Sequence, residues 1–286
     1  MAASTAIERP RTNASPWEHL VADQLAMDME RKSDPSLPLD AYKIVDITIG
    51  TSRAASLEVP NLYSIPGGKI TEKLLPKAIN ELDMRRFDGN HKVVYMVGGL
   101  PDITQMHRDP DTPRRSFPKY EYEEVIFPTH QNPDEVANRV INDISIAQNH
   151  ILAEGATPVF ATIATQSIAT WNFHRLSKNN TSFLLHSDHY DDMQTFLNDP
   201  IHIVNCKIVH LNNLINMRTP DLAGFIQKGW DFRDDGPGGR VRNPRYGRLG
   251  DGCHLRSETN AKWREHFLQV CSENRTELAF ALHQPN

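Results

Sequence analysis

KIVDITIGTSRAASL, residues Lys43 to Leu57, is the stretch on which the fold turns. Its first half, Lys43 to Gly50, is dominated by β-branched side chains. Such residues are stiff, suit an extended backbone and pack well on a pleated surface, so the run reads as a short buried strand. Gly50 closes it, and Thr51, Ser52 and Arg53 enter a turn. In open α/β sheets, ligands sit beyond the carboxyl ends of the strands. A serine placed just there is a candidate for chemistry.

The same pattern repeats along the chain. HKVVYMVGG, His91 to Gly99, is a second apolar run ending in glycine, and ATPVFATIA, Ala156 to Ala164, reads as a third strand. CKIVHLN, Cys206 to Asn212, reads either as a fourth strand or as the continuation of a helix. Between these lie helical segments. GGKITEKLLPKAINEL enters a helix from a glycine turn, with Pro76 expected to kink or split it. Asp134 to Gly155 carries Val136, Val140, Ile144 and Ile151 at helical spacing, with Gly155 as a natural stop. SETNAKWREHFLQVCSEN is a late helix with Ser257 or Thr259 as its cap. Strands alternating with helices predict an α/β fold, a three-layer sandwich around a mostly parallel central sheet, over residues 41–286. Residues 1–40 read as an extension, partly helical or disordered. Within it, Trp17 to Lys32 is expected to form an amphipathic helix with Leu20, Leu25 and Met29 on one side, followed by the linker-like DPSLPLD.

Composition narrows the function classes. Hydrophobic residues make up 39% and charged residues 23% of the 286, as expected of a mostly globular chain. A formal net charge of −5 weighs against a whole-protein role as a nucleic-acid coat. Cys206, Cys253 and Cys271 are too few and too scattered for a disulfide framework or a CxxC metal pair, which favours a reducing compartment. The N-terminus has no apolar run of signal-peptide length, and no segment approaches the ~20 apolar residues of a membrane span. A soluble intracellular protein, cytoplasmic or nuclear, is the expectation. No internal repeat is present.

GRLGDGCHLRSETNAKW, Gly247 to Trp263, places Asp251 three residues before His254 in a glycine-punctuated loop. A serine hydroxyl is a poor nucleophile at neutral pH and needs an adjacent base. His254 can serve as that base for Ser52, with Asp251 orienting the imidazole. Such attack also needs N–H donors aimed at the developing oxyanion, and the turns at Ser52 and at Gly67–Gly68 can supply them. Local chemistry offers a plainer account, in which Ser52 is a turn residue and Asp251 caps the amides that follow it.

In order and spacing these pieces resemble the SGNH (GDSL-like) hydrolase family, from about Lys43 to Cys271. The family's first block, GDS, is matched by Gly50-Thr51-Ser52, with threonine in place of the acid. The second block contributes a glycine amide to the oxyanion site, matched by Gly68 (or Gly67). The last block, DxxH, is matched by Asp251-Gly252-Cys253-His254. The third block, GxND, is met by Gly99-Leu100-Pro101-Asp102, so proline stands where the family has an oxyanion-binding asparagine. Proline has neither a side-chain amide nor a backbone N–H. Losing one oxyanion donor typically costs ~10²–10³ in turnover. The resemblance implies a flavodoxin-like sheet and hydrolysis of an ester or related acyl substrate. It implies catalysis by Ser52, Asp251 and His254, oxyanion amides at Ser52 and Gly68, and no metal or organic cofactor. The nearest likeness is to the divergent branch of mobile-element and viral proteins. That leaves an alternative: an inactive module for nucleic-acid binding or self-assembly, working as a homo-oligomer.

Three further stretches carry polar chemistry. Arg240, Arg242, Arg245 and Arg248 are interleaved with Gly, Pro and Tyr246. Guanidinium forks suit phosphate or carboxylate, which points to an anionic partner such as nucleic acid or an anionic substrate. A solvated loop pairing with Asp231, Asp234 and Asp235 is the competing reading. HSDHYDD, His186 to Asp192, has metal-ligand residue types in a spacing that fits no known site, and reads as a polar loop. Cys253 beside His254 reads as a small packed residue.

Overall fold

The computed structural model describes residues 43–83, 89–108, 123–127, 131–179, 188–232, 240–244 and 246–283. The expected Trp17–Lys32 helix lies outside them. The strands are β1 (Ile44–Gly50), β2 (Leu62–Ser64), β3 (His91–Val97), β4 (Gln105–Arg108), β5 (Glu123–Ile126), β6 (Ala156–Phe160), β7 (Gln227–Phe232) and β8 (Arg240–Pro244). Four of them form the central sheet in the order β2-β1-β3-β6, every neighbouring pair parallel. β4–β5 and β7–β8 are separate antiparallel pairs. The helices are α1 (Leu75–Leu82), α2 (Leu100–Ile103), α3 (Pro133–Ala153), α4 (Ile168–Asn179), α5 (Asp188–Leu214), α6 (Leu222–Ile226) and α7 (Ser257–His283).

Side chains alternate across a strand, and here both faces are apolar because both are covered. Ile47, Ile49, Val94 and Met96 pack on one side with Leu74, Ala78, Val136, Val140 and Ile144, under α1, α3 and α5. Val93, Tyr95, Val97 and Val159 pack on the other with Leu222, Ile226, Trp263, Phe267 and Leu278, under α6 and α7. This is the expected three-layer α/β arrangement. The chain runs from β1 to β2 on one side and then to β3 on the other, so the strand order switches between β1 and β3. Their carboxyl ends are where such a fold opens a crevice.

Several local readings hold. Val136, Val140, Ile144 and Ile151 are all buried on α3, and Gly155 stands just past its end at φ 68°. A π-helical turn, Ile70–Leu74, runs directly into α1, and Pro76 lies at the change from one helical form to the other. One open reading is decided and one is corrected. CKIVHLN continues a helix rather than forming a strand: it lies inside the 27-residue α5, where Ile201, Val204, Ile208 and Leu211 recur at helical spacing and are all buried. Its β-branched residues suit either state, and the longer period decides. Neither Ser257 nor Thr259 caps α7. Ser257 is its first residue, and Asn260 N already bonds the Arg256 carbonyl, 2.8 Å away.

The outer edge of β6 is closed by side chains from α5. Asn212 accepts from Phe160 N at 3.1 Å and donates to Phe160 O at 2.8 Å. One strand exit further on, Asn205 does the same for Ile163, at 2.6 and 2.9 Å. Each amide side chain copies the pairing that a neighbouring strand would supply.

Candidate active site

The turn after β1 is set by close packing. A Cβ on Gly50 would collide with the Ala54 side chain and come within 2.8 Å of Val97 O, so only glycine lets the turn fold against β3. Thr51 N then bonds Val97 O at 2.9 Å, Ala54 N bonds Thr51 O at 2.9 Å, and Ser64 Oγ donates to Thr51 O at 3.0 Å. These bonds fix Ser52 at the carboxyl end of the sheet, partly exposed.

The 251–254 loop reaches the same place from the far end of the sequence. Gly252 adopts φ 88° and approaches α4 so closely that a Cβ would lie 2.9 Å from Ser167 O. Its carbonyl accepts from Ser167 N at 2.8 Å. Asp251 divides its carboxylate between two tasks. Oδ1 accepts from Cys253 N at 2.9 Å and His254 N at 2.7 Å, which is the local cap that the sequence also allowed. Oδ2 holds His254 Nδ1 at 2.7 Å. An imidazole that donates from Nδ1 to a carboxylate presents the lone pair of Nε2 on its other side. Ser52 Oγ lies there, 2.9 Å from Nε2. The edge of the ring meets Trp171, with centroids 5.6 Å apart at 66°. Burial works to raise the Asp251 carboxyl, but the bonds from the His254 ring and from the His254 and Cys253 amides outweigh it. The carboxyl is held below its ordinary range and stays ionised.

The oxyanion donors named from sequence are placed unequally. No hydrogen bond of the described residues uses the Ser52 amide. The Gly68 amide donates to Ile65 O at 3.0 Å, so it is committed to its own turn. Pro101 lies in the first turn of α2, where its ring meets no backbone demand. Asp102, next to it, is buried, and its Oδ1 accepts from Ile70 N at 3.0 Å, tying the end of β3 to the turn that follows Gly68. Burial pushes this carboxyl up to about 6, against the opposing pull of the Ile70 N–H.

Of the arginines, Arg240 and Arg242 lie on β8 rather than in a loop, and Arg245 is outside the described residues. Arg248 Nη1 donates to Phe225 O at 2.6 Å, a bond within the protein. His186 is outside the described residues, whereas Asp188 to Asp192 open α5. Among the described residues no group of three or more His, Cys, Asp or Glu side chains is placed to hold a metal. Cys253 packs against the core and its sulfur accepts from Arg53.

The sequence reading missed Arg53 and Trp171. Arg53 is buried, with its guanidinium on Ala164 O, Thr165 O and Cys253 Sγ. Its position immediately after Ser52 was the one available signal. Nothing in α4's sequence marks Trp171 as the residue that meets the imidazole.

Among the described residues no helix is long and apolar enough to cross a membrane. No protein-family model matches the sequence. No curated protein matches it either. Solved structures with a similar course include a candidate acylhydrolase from Bacteroides fragilis, 12% identical with a TM-score of 0.45, covering 94% of this chain and 100% of its own. Another is a GDSL-like lipase from Bacteroides thetaiotaomicron, 11% identical with a TM-score of 0.45, covering 88% of this chain and 97% of its own.

Proposed function

We propose that the chain is a serine hydrolase of SGNH type that acts on an ester or related acyl group. The observation that carries this is the continuous run from Ser52 Oγ to His254 Nε2, 2.9 Å, and from His254 Nδ1 to Asp251 Oδ2, 2.7 Å. In this reading Ser52 attacks the acyl carbon while His254 takes the hydroxyl proton. Asp251, kept ionised, holds the ring in the required tautomer and stabilises the imidazolium. The tetrahedral oxyanion falls to the Ser52 amide, which has no acceptor among the described residues. Gly68 joins it if substrate draws its amide away from Ile65. His254 then returns the proton to the leaving oxygen, and a water, activated by the same imidazole, releases the acyl group.

The reading includes an anionic substrate contacted by Arg240, Arg242 and Arg245, on sequence grounds; Arg248 contributes less because one of its nitrogens is bound to Phe225 O. An intracellular setting fits three free cysteines. Affinity with mobile-element and viral members rests on sequence likeness alone.

Covalent labelling with a fluorophosphonate tests the central step. Wild type should be labelled at one serine, and Ser52→Ala and His254→Ala should both lose the label while remaining folded. A well-folded wild type that takes no label refutes the hydrolase reading.

A further inference from the structure

Arg53 is an unusual residue to find beside a nucleophile. It is 6% exposed, and among the described residues no carboxylate pairs with it. A buried cation in that state is costly unless fixed dipoles replace its hydration. Here they do. Nη1 donates to Ala164 O, Nη2 donates to Thr165 O at 2.9 Å and to Cys253 Sγ at 3.7 Å, and Nε meets no acceptor among the described residues.

The partners belong to two different segments. Ala164 and Thr165 lie on the exit from β6, and Cys253 lies between Gly252 and His254 in the loop that carries the base. That loop is bonded to the same exit by Ser167 N to Gly252 O, 2.8 Å. Three pieces of chain therefore meet on one guanidinium: the Ser52 turn, the β6 exit and the 251–254 loop. Ser52 and His254 have one direct bond between them, and it must loosen as the proton moves. Something else has to hold their spacing.

We propose that Arg53 is a positioning residue whose buried guanidinium sets the spacing of Ser52 and His254 by clamping the nucleophile's turn to the β6 exit and to the loop of the base. Its catalytic consequence rests on the hydrolase reading above. A planar fork can serve two carbonyls and a sulfur at once, whereas a lysine ammonium is a point donor on a flexible stem. The clamp is stiff because a segment that drifts away leaves the charge without solvation. Misplacing reacting groups by about 1 Å can cost ~10²-fold in rate, so a modest loosening is enough to read.

Arg53→Met and Arg53→Lys, made in the full chain, test this with two measurements. The first is the rate at which a neutral maleimide modifies Cys253, resolved by mass spectrometry, with exposed Cys206 and buried Cys271 as internal references. The second is fluorophosphonate inactivation, separated into kinact and KI. The clamp predicts faster modification of Cys253 in Arg53→Met at unchanged Cys206 rate. It also predicts a fall in kinact of about 10²-fold with KI unchanged, only partly restored in Arg53→Lys. A folded Arg53→Met with wild-type kinact overturns the proposal. If wild type takes no label, the hydrolase reading fails by itself, and the thiol measurement decides the clamp: an unchanged Cys253 rate overturns it. If Arg53→Met does not fold, Arg53→Lys, which keeps the charge but not the fork, is judged by the same two criteria.

Discussion

Replacing Asn212 with leucine should destabilise the protein by about 4 kcal/mol. Asn212 is 1% exposed and is the partner of both outward-facing groups of Phe160, whose neighbours face β3. Leucine has the same number of side-chain heavy atoms, branched at the same carbon, and is the larger of the two, so the change leaves no cavity. What remains is a buried N–H and a buried C=O without partners, each worth about 1–3 kcal/mol, giving a range of about 2–6. The bond from Asn212 Nδ2 to Thr219 Oγ1, 2.9 Å, is lost as well. Asn205→Leu removes the same pair of bonds from Ile163, but Asn205 is only partly buried and water can replace it, so the loss should be smaller. Urea unfolding followed by tryptophan fluorescence, with both variants and wild type analysed at a common m-value, measures the difference. A cost below about 1 kcal/mol for Asn212→Leu, within the range of ordinary surface substitutions, would refute the argument that Asn212 closes the β6 edge.

Asp251→Asn keeps the shape of the loop but gives His254 a partner that can select the wrong tautomer, so phosphonate labelling should slow by about 10³–10⁴-fold at unchanged folding. Stability should also carry a mark from Asp102. Its folded carboxyl titrates at about 6, above the ~3.9 of an unfolded chain, so the folded state holds a proton that the unfolded state has released. That stabilisation is complete below about pH 4 and is lost as pH rises toward and through 6, a change on the order of 3 kcal/mol for two pKa units. Urea unfolding at pH 4, 5, 6 and 7 should therefore show a descending contribution that Asp102→Asn abolishes; identical pH profiles for the two proteins would discount it.

The parts of the fold that could be read from the chain are those in which a local pattern and its burial agree. β1 and β3 are apolar runs closed by glycine, β6 is the first five residues of the run read as a strand to Ala164, and α3 repeats valine and isoleucine at helical spacing. CKIVHLN stays open between strand and helix because seven residues cannot distinguish a buried strand from about two turns of buried helix; the period becomes clear only across Ile201 to Leu211, past Pro200. β2, three residues long, exists only through its pairing with β1 and has no pattern of its own. At the site, Asp251 and His254 were legible as a close acid–imidazole pair, and Ser52 as a strand-end hydroxyl. The commitment of the Gly68 amide to Ile65 was not, because a turn bond leaves no trace in residue type. Arg53, Asn205 and Asn212 were invisible for a shared reason: a polar residue announces that it needs partners, not which distant backbone supplies them.

Ser52 and His254 are 202 residues apart in the chain. On the proposed hydrolase reading, the nucleophile leaves the ribosome 202 residues ahead of its base. Until α7 seats Trp263 and Phe267 against the sheet, the serine has no general base and is an ordinary alcohol. Reactivity toward a phosphonate would therefore report on synthesis and folding through the 251–254 loop and α7. A chain cut short before the 251–254 loop would carry an intact Ser52 turn and remain chemically silent.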